Sequence, residues 1–353
     1  MDKKIDSNSL QEDELSDDKE ENPRMQHKFT WADKYQPKAL NSFICHRAIA
    51  DKVIAGDMNL LIFEGFPGIG KRTMALALLR EIFGPDISKS KEQVLALDLK
   101  SVLKSGVSST IQIRAQISSK HIEVNLSESD MKGYAAEVAL LLVKETHNAS
   151  RKQPSLQAKA IIFHLAENIS KTAQSQIRSF LENSEGRYKV IFCYSDVSNK
   201  LQILKPLCTV IHLPLPSNKE IVGVLNFIAE QEDIELPHTL AQTIAENSKN
   251  CLRQAIRSFE ATWLADYPFK EGQSITTGWE DEIAMIAKSI IQEPSPHVLF
   301  LVRKRVGNLM EHHICGDFVL STLVAEMKKH VNIQAQLDLE SLYQDYNNLQ
   351  QSL

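Results

Sequence analysis

An apolar run that stops at a glycine-rich loop and resumes as a helix is the tightest constraint in this chain. Leu60, Leu61, Ile62 and Phe63 lead through Glu64 into GFPGIGKRT, Gly65 to Thr73, and MALALLREIF continues from Met74. A short apolar run bounded by glycine predicts a strand buried on both faces. The leucine- and alanine-rich stretch after the loop predicts a helix. Strand, glycine loop and helix in this order are the context in which GxxxxGK[ST] holds phosphate. Backbone N–H groups curl around the anion, the lysine reaches its outer oxygens, and the helix N-terminus favours negative charge. Here Gly65, Pro67, Gly68 and Gly70 supply the loop, and Lys71 opens the helix.

The next position departs from that pattern. Arg72 stands where the motif carries the hydroxyl that ligates magnesium. A guanidinium has five donors and no acceptor, so it cannot ligate a cation. Thr73 follows, but it is rotated by about 100° around the helix and does not simply replace the missing hydroxyl. Arg72 is expected to pair with phosphate instead, giving ATP or ADP binding with little dependence on magnesium. Hydrolysis also needs carboxylates at the end of a later strand, one for the metal and one to orient water. The candidate strand is AIIFHL, 160–165, which places His164 and Leu165 there, with Glu167 beyond the strand end. A water-orienting base contributes about 10²–10⁴-fold. Turnover is therefore not expected, and no catalytic residue and no metal ligand is assigned.

Further strands are expected at Gln93–Leu97, 121–126, 189–194 and 209–214, with helices at Tyr134–Thr146 and Ser170–Glu182. Apolar strands alternating with helices predict a parallel sheet covered on both faces, an α/β domain. From Ser217 onward only helices are expected. Ser217 with Glu220, and Thr277 with Glu280, have the spacing of capping boxes. Four segments follow: an acidic disordered tail at 1–29, an α/β nucleotide-binding domain at 30–214, a small helical lid at 215–272 and a helical domain at 273–353.

Net charge is −5, so bulk attraction to DNA is excluded and any nucleic-acid contact must be local or made through basic partners. The 5 cysteines are widely spaced with no CxxC, which argues for reduced thiols; EHHIC, 311–315, offers no second ligand pair for zinc. There is no apolar run long enough to span a membrane, and the polar acidic N-terminus has neither signal-peptide nor transit-peptide character. Cytosol or nucleus is the expected compartment.

Several spaced motifs resemble the small subunits of the eukaryotic clamp loader, replication factor C, with most likeness to its subunit 3. WADKYQPKAL is similar to that family's WxxKYRPxxL, and GFPGIGKRT to a subunit 3 loop in which a basic residue also follows the lysine. HLAENISKTAQSQIRSFLE resembles the acidic-box segment and its helix, and NSKNCLRQAIRSFEA the sensor-2 helix of the lid. The resemblance implies an AAA+ P-loop domain with a helical lid and an all-α collar. It implies a place beside other replication factor C subunits in a five-subunit ring. In the nucleus, that ring uses ATP to load a sliding clamp onto primer–template DNA. It implies nucleotide contacts at Tyr35, Pro37 and Arg253, and a subunit-interface role for Arg178.

The departures are specific. The KYRP arginine is Gln36, the acidic box is lost at His164 and Leu165, and the sensor-1 asparagine falls on Tyr194. Pro206, Leu207 and Cys208 stand at the Ser-Arg-Cys segment, so the arginine lent to a neighbour is missing, with Lys205 two residues upstream. The chain also stops some tens of residues before the family's last collar helices. The reading is a structural, at most nucleotide-binding subunit. Its rivals are a degenerate AAA+ interaction protein outside the ring and a P-loop kinase or ATPase.

Overall fold

The computed structural model describes residues 29–351 apart from 55–58, 103–109, 128–130, 132, 153–159, 185, 196–199, 271, 294 and 312–315. The tail at 1–28 and most of the EHHIC stretch lie outside the described residues.

After a short helix α1 (Trp31–Lys34) and α2 (Arg47–Ile54), strand β1 (Leu60–Glu64) feeds the glycine loop and α3 (Lys71–Phe83). Strands β2 (Lys91–Asp98), β3 (Thr110–Ile117) and β4 (His121–Asn125) precede α4 (Ala135–Lys152). Then come β5 (Ala160–His164), α5 (Lys171–Glu182), β6 (Lys189–Tyr194) and β7 (Thr209–His212). The seven strands form one sheet in the order β2-β3-β4-β5-β6-β1-β7. From β4 to β7 all pairs are parallel, as expected; β2–β3 and β3–β4 are antiparallel and extend the sheet.

The strand at Thr110–Ile117 was not anticipated, for a physical reason. A parallel strand buried on both faces reads as an apolar run, whereas β3 alternates. Ile111, Ile113 and Ala115 are buried, while Gln112 and Arg114 face out. β2 beyond it is an edge strand, largely exposed, with Val94 64% accessible.

Each face of the sheet has its own core. Val138, Leu141 and Val143 of α4 and Ile177 and Leu181 of α5 pack with Phe163 and Phe192 on one face. On the other, Met74, Leu78 and Leu79 of α3 meet Leu61, Phe63 and Ile191. Phe163 and Phe192 stack at 5.7 Å between centroids.

Beyond β7 the elements are helical: α6 (Asn218–Gln231), α7 (His238–Asn247) and α8 (Leu252–Ala265), then α9 (Glu280–Gln292), α10 (Pro296–Glu311), α11 (Gly316–Lys328) and α12 (Ile333–Gln351). Ser217 and Glu220 form the expected capping box. At α9 the box is only half made. The Glu280 carboxylate accepts from Thr277, Gly278 and Trp279 N–H, but Trp279 is the N-cap and the Thr277 hydroxyl does not cap the helix.

The N-terminal segment belongs to the lid core. Trp31 packs on Phe259 at 5.0 Å, and the Glu260 carboxylate accepts from Thr30 and Trp31 N–H at 3.0 Å each. One turn further back on α8, Arg257 lies between the rings of Phe29 and Trp279, at 4.0 and 3.2 Å from their centroids, and donates to Gly278 O at 2.6 Å. A partly desolvated cation between two aromatic faces is worth about 2 kcal/mol. It joins the lid to the first helix of the C-terminal unit.

Ile283 and Ile286 of α9 are buried within the chain against Trp279, Leu309 and Val319. Among the described residues, no helix is long and apolar enough to cross a membrane.

Candidate nucleotide-binding site

β1 lies between β6 and β7, one strand in from the edge, and its continuation must turn sharply to start α3. Gly65 makes the turn at φ +151°, where an added Cβ would lie 2.5 Å from Leu213 O; no side chain fits. Gly68, at φ +75°, meets the lid: a Cβ there would lie 2.6 Å from Cys251 Sγ, and Arg253 N–H donates to Gly68 O at 3.3 Å. Loop and lid therefore touch directly.

Two cavities flank the loop. A polar one of about 680 Å³ is lined by Pro67, Lys71, Arg72, Arg114, Glu123, His164 and Ser195, among others. An apolar one of about 360 Å³ is lined by Tyr35, Pro37, His46, Ile69, Phe227 and Ile256. Gly68, Gly70, Thr73 and Arg253 line both, so the two meet around the loop. An apolar slot joined to a cationic cavity across a helix N-terminus has the chemistry for a nucleotide, base on one side and phosphates on the other. Tyr35 is held in the slot by its hydroxyl, which donates to Glu232 Oε1 at 2.6 Å, and by an edge contact with Phe227. His46 Nε2 lies 3.2 Å from Ile69 O, and burial lowers the His46 pKa, so the ring is neutral and donates from Nε2.

Lys71 folds back onto its own loop, donating to Gly65 O at 2.6 Å and Phe66 O at 2.8 Å. Burial pushes its pKa down to about 8. Arg72 turns away from the loop, toward the sheet. Its Nε and Nη2 grip the two oxygens of Glu123 on β4, the second at 2.8 Å. His164 Nε2 reaches Glu123 Oε1 at 2.6 Å. Glu123 is 4% exposed, so burial opposes its charge. The hydrogen bonds from His164 and Arg72 outweigh that and hold its pKa down to about 2. For His164 the same contest runs the other way: burial opposes the imidazolium, and bonding to Cys193 and Glu123 raises the pKa to about 9.

Glu123 was missed in the sequence. Its signal was a carboxylate inside the apolar stretch HIEVN, a residue type almost never buried unless paired. The partners follow from sheet order, because β4 pairs β5 with Asn125 opposite His164, and Glu123 is two residues back on the same face.

Leu165 follows β5 at φ +51°, an uncommon conformation for a branched side chain, and lines the polar cavity. Glu167 sits in the turn after it and does not line that cavity. At the end of β6, Cys193 and Ser195 face the cavity, whereas Tyr194 is wholly buried between them. Arg178 lines neither cavity; it donates to Glu182 at 2.8 Å on the exposed side of α5. Gln36 bonds Asp33 at 2.9 Å. Lys205 lies 3.6 Å from Glu64 Oε2 and over the Tyr194 ring. Cys45, His46 and Glu220 bring potential ligand atoms within 4.8 Å of one another. The Glu220 oxygens, however, already accept from Ser217 and from His46 N–H, which explains the cluster without an ion.

The sequence relatives decide the family. The chain is 31% identical over 319 residues to replication factor C subunit 3 of Arabidopsis thaliana, covering 88% of each. This chain belongs to the replication factor C small-subunit family. The probable replication factor C subunit 3 of Dictyostelium discoideum is 31% identical over 308 residues, 86% of this chain and 87% of that one. The human replication factor C subunit 3 is 28% identical over 305 residues, 84% and 83%. No protein-family model matches the chain. Among solved structures, the RuvB Holliday junction branch migration motor of Thermotoga maritima shows a slight likeness, with TM-score 0.44 and 16% identity over 77% of this chain and 85% of that one. The fold is the AAA+ arrangement of a P-loop α/β domain, a small helical lid and an all-helical C-terminal unit.

Proposed function

We propose that this chain is a nucleotide-holding, non-hydrolysing subunit of a sliding-clamp loader. It would sit in a five-subunit ring with other replication factor C subunits, acting with the clamp on primer–template DNA in nuclear replication and repair. The domain limits read from the sequence, 30–214, 215–272 and 273–353, serve as its nucleotide domain, lid and collar. The observation that carries the non-hydrolysing reading is the Glu123 carboxylate. Both of its oxygens are already engaged by Arg72 and one also by His164, which leaves it poorly placed to ligate a metal or to take a proton from water.

Purified protein should bind ATP and ADP in titration calorimetry and release no phosphate. Lys71→Ala removes a charged hydrogen-bond donor and should weaken binding by about ten- to hundredfold, about 1.5–3 kcal/mol. Because the Lys71 pKa is lowered to about 8 and an anion favours the ammonium, the Lys71 contribution to affinity, read as the ratio of unaltered to Lys71→Ala protein, should be constant below about pH 7. Above about pH 8 it should fall roughly tenfold per unit. Steady phosphate release that Lys71→Ala abolishes would refute the non-hydrolysing assignment.

Assembly is expected to run through the C-terminal helices. Leu299 and Phe300 of α10 and Ile333, Leu337 and Leu342 of α12 are more than half exposed, an apolar surface suited to burial against neighbouring subunits. Co-purification with replication factor C partners should survive deletion of residues 1–28 and fail with Phe300→Asp and Leu342→Asp combined. The reverse result would place the contact on the tail.

A further inference from the structure

We propose that the polar cavity is built for nucleotide without its magnesium, with Arg72 and His164 standing where the metal would, so that magnesium weakens binding instead of supporting it. This rests on the reading that the cavity holds nucleotide.

A divalent cation in such a site needs oxygen ligands. The residue after Lys71 offers a guanidinium instead. At the floor of the cavity, the Glu123 carboxylate is enclosed by two cationic groups from different elements, Arg72 on α3 and His164 on β5. A metal ion brought there would first have to displace both. It would then sit in a cavity also lined by Lys71, Arg114 and Arg253, with only Glu92 as a further carboxylate among the described lining residues. Like charges in a partly buried cavity repel far more strongly than in water. Phosphate has the opposite balance. Glu123 engages two of the five Arg72 donors, leaving three for an anion. His164 has its hydrogen bonds committed to Glu123 and Cys193 and acts through its charge alone, which those partners stabilise against burial. Glu123 is the positioning residue that orients both cations. Magnesium in solution converts a nucleotide into a complex with two fewer negative charges, and so removes attraction that this cavity is arranged to supply. Thr73 lines both cavities and is the one hydroxyl in the first turn of α3, so it is the group through which a metal would enter if the inference were wrong.

The test is calorimetric titration of the full chain with ADP and with ATP at pH 7.5, in chelator and in excess magnesium at matched ionic strength. Affinity at least tenfold higher in chelator is expected. His164→Asn should cut that ratio to threefold or less, and Arg72→Thr, which restores the hydroxyl, should turn it in favour of magnesium. Equal or tighter binding with magnesium in the unaltered protein overturns the inference and leaves the nucleotide site standing. No binding in either buffer overturns both. A ratio unchanged by His164→Asn removes that residue from the assignment. If either variant fails to fold, the ratio in the unaltered protein still decides.

Discussion

With Leu207 replaced by arginine, a ring reconstituted from this chain and its replication factor C partners should hydrolyse ATP at least tenfold faster in the presence of clamp and primed DNA. An arginine supplied in trans stabilises charge on the transferring phosphoryl group, and in GTPases such fingers are worth about 10³–10⁵ in rate. In this chain the position carries an uncharged side chain. Leu207 closes a short 3₁₀ turn (Lys205–Leu207) between β6 and β7, half-buried against the core of the sheet. That site tolerates a long side chain whose stem packs while its head reaches solvent. The nearby cation does not fill the gap. Lys205 is held between Glu64 and the Tyr194 ring, and an ammonium lacks the planar fork that matches phosphate. The measurement is stimulated phosphate release by rings containing the Leu207→Arg chain, against rings containing the unaltered one. Unchanged turnover in the arginine ring, with a fall on Lys205→Ala, would mean that the lysine serves the neighbour and that the finger position is misaligned.

Removing the Glu123 carboxylate should produce a large loss of stability. Glu123→Ala leaves two cationic groups facing each other in a half-buried cavity. Taking one partner from a buried ion pair costs about 3–5 kcal/mol. Arg72 is 39% exposed and His164 can lose its proton, so about 2–3 kcal/mol is expected here, a fall in Tm of about 5–10 °C. The pH dependence follows from the two shifts. Glu123 is depressed to about 2 in the fold, so its contribution is complete above about pH 4.5 and is lost as pH falls toward 2. His164 is raised to about 9, so its contribution is complete below about pH 6.5 and is lost as pH rises through 9. Stability from this cluster should therefore peak between about pH 4.5 and 6.5, and Glu123→Gln should flatten both flanks of the profile. A Glu123→Gln protein with an unchanged melting profile from pH 3 to 10 would show that the cluster carries no net stability.

Much of this protein was legible along the chain because the relevant interactions are local. A strand buried on both faces must be apolar throughout, which marks β1, β5 and β6. A backbone that turns at φ +151° against Leu213 O must be glycine. A helix that caps itself three residues in carries Ser217 and Glu220. Each rule acts within a few residues, so the loop at 65–73, the lid helices and the absence of a hydroxyl after Lys71 could all be read in one dimension.

What the tertiary structure alone decided is which groups meet. Arg72 turns toward Glu123, 51 residues away, because β4 lies beside β5 and delivers a carboxylate under the glycine loop; no spacing rule connects the two positions. Strand pleat, not sequence likeness, determines that Ser195 and Cys193 face the cavity while Tyr194 faces away. Ile283 and Ile286 lie three residues apart, a helical spacing, but only the docking of α9 against α10 and α11 established that they are satisfied within the chain and that the apolar surface left open belongs to α10 and α12. Periodicity records that a face must be buried. Its partner is chosen by the order and register of elements far apart in the chain, and the charge state of the polar cavity depends on that choice.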